Sequence, residues 1–176
     1  ILPVADMNGS ALAACAAGGL AGTNLALMMA DPFLNARRVA DALLAAGVSR
    51  VVNFPTVQIL DGDSARAMDS AGVGAEREAQ VLAELCSSGL AATGIARGWR
   101  IAERLIKAGV DQVILHPGVA LRDWRSRAVA ALELEGDMQT LAACGHTAPL
   151  IFKPAGFGNE LDRAIGWSSG TVQLVG

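Results

Sequence analysis

Short apolar runs alternate along the chain with stretches in which apolar residues recur every three or four positions. The clearest run lies in Ala46-Gly47-Val48-Ser49-Arg50-Val51-Val52-Asn53-Phe54-Pro55-Thr56-Val57. It reads as a helix end, a strand over Val48 to Phe54, and a polar mouth. Gly47 can take the left-handed conformation that ends many helices. The Val51-Val52 pair shows no polar alternation, as expected of a parallel strand covered on both faces. The order returns in Ala108-Gly109-Val110-Asp111-Gln112-Val113-Ile114-Leu115-His116-Pro117-Gly118-Val119. Ligands of α/β folds bind beyond the carboxyl ends of parallel strands, which makes Asn53 and His116 the first candidate site residues.

The remaining elements follow from the same patterning. Ile1 to Asp6 reads as the end of a strand, and Asp6, Asn8 or Ser10 caps a helix running to about Ala17. A strand is expected over Leu25 to Met29, followed by Asp31-Pro32-Phe33. Asn35 caps a helix whose apolar face is Ala36, Val39, Ala40, Leu43 and Leu44. Gln58 to Gly74 is polar and reads as a long loop with a short helix near Ser64 to Met68. Ala75 to Ser87 is helical, with Ala79, Leu82, Leu85 and Cys86 inward and Glu76, Glu78 and Glu84 toward solvent. A strand over Leu90 to Ile95, a helix over Trp99 to Ala108 and a strand over Val110 to Leu115 come next. Arg122 to Met138 and Leu141 to Cys144 form one helix, or two broken near Gly136. A strand over Pro149 to Lys153, a short helix over Glu160 to Ile165 capped by Asn159, and a strand over Thr171 to Val175 complete the chain. Alternating strands and helices predict a parallel sheet.

Composition narrows the function classes. The chain has 176 residues, rich in Ala and Gly, with few aromatics and no Tyr, which suits close helix–sheet packing in one domain. A net charge of −3 supplies no basic footprint for nucleic acid. No apolar run reaches the roughly 18 residues of a membrane span. Cys15, Cys86 and Cys144 lack metal spacing and read as buried thiols of a reducing, cytoplasmic setting.

Leu2-Pro3-Val4-Ala5-Asp6-Met7-Asn8, Ala30-Asp31-Pro32-Phe33, Asn53-Phe54-Pro55-Thr56-Val57 with Asp61-Gly62, and Gly72-Val73-Gly74 before an acidic helix resemble the phosphoenolpyruvate hydrolase-like TIM-barrel family. Its members are also described as phosphonopyruvate hydrolases, and a related barrel forms the C-terminal domain of a plant tobamovirus-resistance protein. The Asn-Phe-Pro-Thr stretch carries the resemblance most specifically, and the likeness is looser from Val119 onward. It implies a (β/α)8 TIM barrel of the phosphoenolpyruvate/pyruvate type. Mapped onto that barrel, residues 1–176 supply one incomplete domain, from the end of strand 2 to strand 8, without the first βα unit and the last helix.

The resemblance implies a hydrolase or lyase acting on a small phosphorylated or phosphono 2-oxo acid. The other reading is a non-catalytic, ligand-sensing or regulatory barrel. Asp31, and equally Asp6, could hold Mg²⁺ at a strand mouth or serve as a turn or capping residue. An Asp-Asp pair of the kind used in acid-cluster metal sites is not seen. Asn53 and Thr56 could donate to a carboxylate or phosphoryl oxygen, or stabilise a turn. His116 could move a proton or serve as a packed structural histidine. Lys153 ends a strand, either as a point charge for an anion or as a solvated lysine. The expected partner is a small anionic substrate, in a homo-oligomer without nucleic acid or membrane.

Overall fold

The computed structural model describes residues 6–60, 62–118, 121 and 123–173. The strand expected before Asp6, together with Asp61, Val119, Arg122 and the end of the last strand, lies outside these. Strands β1 (Asn24–Leu27), β2 (Arg50–Asn53), β3 (Ala91–Ala96), β4 (Gln112–Leu115), β5 (Leu150–Phe152) and β6 (Gly170–Val172) pair in parallel in the order β1-β2-β3-β4-β5-β6. Helices α1 (Met7–Ala17), α2 (Ala36–Ala45), α3 (Gly62–Ser70), α4 (Ala75–Ser87), α5 (Trp99–Lys107), α6 (Trp124–Ala143) and α7 (Asp162–Ile165) occupy the connections. Each strand pairs only with its sequence neighbours, so every crossover steps in the same direction. Right-handed crossovers then place all the helices on one face of the sheet. That is the wrapping of an α/β TIM barrel, whereas a doubly wound sheet reverses direction at a switch point. The fold is an incomplete (β/α) barrel.

Side chains alternate across the sheet. Val51, Ala92, Val113 and Leu115 join the buried core beneath the helices with Leu43, Leu82, Leu85 and Leu105. Small residues permit the close approach. A Cβ at Gly94 would lie 2.7 Å from Leu105 Cδ1 and 3.2 Å from Val110 Cγ1, so the glycine lets α5 settle on β3. On the opposite face Arg50, Thr93 and Gln112 form a polar layer. Thr93 Oγ1 donates to Gln112 Oε1 at 3.1 Å, and Arg50 donates to both oxygens of Asp111 at 2.9 and 2.6 Å.

Asp6 caps α1 through Gly9 N, Asn35 caps α2 through Arg38 N, and Gly47 follows α2 with φ +74°. Several expectations need correction. The polar stretch after Thr56 adds a 3-10 turn at Val57–Ile59, and the short helix expected near Ser64 to Met68 is longer, α3 running from Gly62 to Ser70. Of the two readings of the stretch around Gly136, the single helix holds, and α6 runs unbroken. Asn159 does not cap α7: a 3-10 turn begins at Asn159 with no side-chain cap. Cys15 alone of the three thiols is buried; Cys86 is half-buried and Cys144 exposed.

Candidate functional site

The carboxyl end of β2 is tied to β3 by a side chain. Asn53, fully buried, accepts from Ile95 N at 2.6 Å through Oδ1 and donates to Ile95 O at 3.1 Å through Nδ2. Its amide thus continues the sheet pairing where the main chain turns away. The Phe54–Pro55 bond is cis, and Thr56 caps the 3-10 turn by accepting from Gln58 N at 3.2 Å. Asn8 repeats the device on β1, accepting from Met28 N at 2.9 Å and donating to Met28 O at 3.0 Å.

The hub of the mouth is Glu78 on α4, with no solvent exposure. Its carboxylate accepts from Thr56 Oγ1 at 2.7 Å, Val57 N at 2.9 Å, and Asn53 Nδ2 and Gln58 Nε2 at 3.2 Å each. Burial raises its pKa, and the bonds from Thr56, Val57, Gln58 and Asn53 oppose that rise. A buried carboxylate needs such donors, because removal from water penalises its charge. Gln58 extends the network: its Nε2 also donates to Ile95 O at 3.0 Å, and its Oε1 accepts from Arg97 N at 2.8 Å.

The expectation that Glu78 faces solvent is therefore wrong, and it is the residue that sequence reasoning missed. Its spacing from Leu82 and Leu85, four and seven positions on, places it on the buried face of α4. That spacing was the available signal. The expected donors Asn53 and Thr56 are brought together, but they face inward. Their hydrogen-bonding capacity is used by Glu78, Ile95 and Gln58, so they hold the mouth rather than present free donors to an anion.

His116 follows β4 directly and is 2 % exposed. Its Nδ1 accepts from Gly118 N at 3.2 Å. That bond leaves the proton of the neutral ring on Nε2, a buried atom with no hydrogen-bond partner among the described residues. Burial, assisted by the positive Arg97, lowers the His116 pKa to about 4. His116 lines a cavity of about 270 Å³ with Arg97, Gly98, Pro117, Glu133 and Asp137. Burial raises the Asp137 pKa, against a hydrogen bond from the Trp99 backbone, and nearby Glu133 raises it further. Arg97 also borders a second cavity, of about 160 Å³, beneath α3.

The expected metal ligands are engaged in local structure. Asp31 Oδ2 accepts from Asn8 Nδ2 at 3.0 Å and Oδ1 from Phe33 N at 2.9 Å, while Asp6 Oδ1 accepts from Gly9 N at 2.7 Å. Both carboxylates act in local turns and caps, and among the described residues no three His, Cys, Asp or Glu side chains gather to hold a metal ion. Lys153 follows β5, half-buried, with its backbone N donating to Val172 O at 2.9 Å. Among the described residues no helix is long and apolar enough to cross a membrane.

A sequence profile of the family described as "Phosphoenolpyruvate hydrolase-like" matches residues 10–151. The "Uncharacterized protein y4oT" of Sinorhizobium fredii (strain NBRC 101917 / NGR234) is 28 % identical over 116 residues, covering 65 % of this chain and 59 % of that protein. The chain thus spans less than two thirds of the relative's length. A solved structure described as "Native KDPGal structure" superposes on 96 % of this chain and 62 % of its own, with 14 % identity and a TM-score of 0.42.

Proposed function

The chain belongs to the phosphoenolpyruvate hydrolase-like family, and on that premise we propose that it is a hydrolase or lyase acting on a small 2-oxo acid, phosphorylated or phosphono in kind. The observation that carries the reading is His116. A buried, neutral imidazole with its Nε2 proton unpartnered lines a cavity at the strand mouths beside Arg97. Such a group suits donation to an oxygen on which negative charge develops. In this role His116 is a hydrogen-bond donor rather than a base, since its pKa of about 4 keeps it neutral near pH 7. Arg97 supplies positive charge for a carboxylate or phosphoryl group.

The same histidine favours a second reading, a non-catalytic ligand-sensing barrel, because a ring with so low a pKa is a poor proton shuttle at neutral pH. Calorimetric titration with oxalate, a flat enolate mimic, tests the site common to both. Oxalate is expected to bind with or without Mg²⁺, and His116→Leu is expected to weaken binding about tenfold, roughly the worth of one charge-assisted hydrogen bond. Absence of oxalate binding in both conditions would sink the 2-oxo-acid assignment. Incubation with phosphonopyruvate then separates the readings: phosphate release supports the enzyme, and binding without turnover supports the sensor.

A further inference from the structure

We propose that Glu78 is a positioning residue: its buried carboxylate gathers the turn from Asn53 to Gln58 and, through the Gln58 side chain, fixes the backbone of Arg97 at the cavity mouth. The inference rests on the reading above for its functional meaning, but its geometry stands alone. Four donors from three side chains and one main-chain N–H converge on Glu78. One of these donors, the Gln58 amide, accepts from Arg97 N at 2.8 Å with its other end. A planar amide cannot serve both partners unless its orientation is fixed. The carboxylate and the Ile95 carbonyl together fix it, because only Nε2 can face acceptor-only groups and Oε1 must then face Arg97 N. Arg97 itself is an exposed residue at the border of both mouth cavities. Where its backbone sits decides where its charge meets an anion. Glu78 and Gln58 touch no part of the cavity that His116 lines, so their effect on a ligand there passes through Arg97.

Amide hydrogen exchange reads the relay without any ligand. Glu78→Gln replaces an acceptor-only group by one with its own N–H donors, which leaves Ile95 O as the one fixed acceptor for Gln58 Nε2 and loosens the amide that receives Arg97 N. The Arg97 amide is expected to exchange about tenfold faster in this variant, while Val51 and Leu115 in the strands keep their rates. Gln58→Met, a milder change that leaves Glu78 three of its donors, is expected to accelerate Arg97 alone and to weaken oxalate binding about fivefold. Thr56→Ser, which keeps the hydroxyl, is expected to leave Arg97 as in the parent. An Arg97 amide unmoved in Glu78→Gln or in Gln58→Met overturns the relay. So does equal acceleration at every amide, which is general destabilisation. If the parent chain binds no oxalate, the functional reading fails, while the exchange rates still decide the positioning role.

Discussion

A base kept neutral by burial makes stability depend on acid. In the unfolded chain His116 takes up a proton near its ordinary pKa of 6.5, but in the fold only near about 4. Between those values the unfolded state binds more protons, so stability is full above the upper value and is lost as pH falls toward the lower one. The difference is on the order of 3 kcal/mol at most. Glu78 runs the other way: its pKa lies above the ordinary 4.5, so acid favours the fold through this group. Denaturant midpoints measured from about pH 7 to about pH 4.5 should fall less steeply in His116→Leu than in the parent, and more steeply in Glu78→Gln. Parallel curves for parent and His116→Leu would show that the ring is not buried neutral. Strand-end reasoning found Asn53, Thr56 and His116, because their places follow from where β2 and β4 stop. It could not tell which way their polar atoms point. That depends on Glu78, which is distant in sequence and makes contact only when α4 packs against the mouth.

At the level of elements, the clearest prediction concerns α6. Gly136 lies inside this helix, is exposed, and a Cβ there would meet nothing within 4 Å. Its backbone is helical, so alanine fits without strain and restricts the unfolded chain. Gly136→Ala is therefore expected to raise stability by roughly 0.5–1 kcal/mol in a urea titration; a loss would mean that the helix is broken at this point after all. Of the two sequence readings, one helix or two broken near Gly136, the single helix holds, because packing of Leu134, Met138 and Leu141 outweighs the local penalty of one glycine. The bounds of helix α4, Ala75–Ser87, were legible from its apolar period, but the inward side of Glu78 was not. Helix α3 was legible only in its middle, Ser64 to Met68, since none of its residues is buried and a helix without an inward face has no hydrophobic period to mark its ends. Strand β3, Ala91–Ala96, was legible despite few β-branched residues, because flanking Gly89 and Arg97-Gly98 bound it.

Across the whole molecule, cohesion is concentrated at the middle of the sheet. β2, β3, β4 and β5 each pair on both sides, with the longer ladders at β2, β3 and β4, whereas β1 and β6 end the described sheet. The central strands are also laced by side chains at both ends. Arg50 and Asp111 join β2 to the start of β4, and Asp111 also accepts from Ala92 N at 2.9 Å. Asn53 and Gln58 do the same for the mouth. The sequential parallel order was legible from strand–helix alternation, but these ties were not, since each joins residues tens of positions apart. They imply unequal local stability. Hydrogen exchange is expected to be slowest in β2, β3 and β4, faster by on the order of a hundredfold in β1 and β6, and fastest in α3, which opens without exposing any buried side chain. Protection in β6 or α3 equal to that of β3 would overturn this partition. In β6 it would mean that this end of the sheet is covered in solution, by a further strand or by another copy of the chain, since an uncovered strand edge exchanges through its unpaired side.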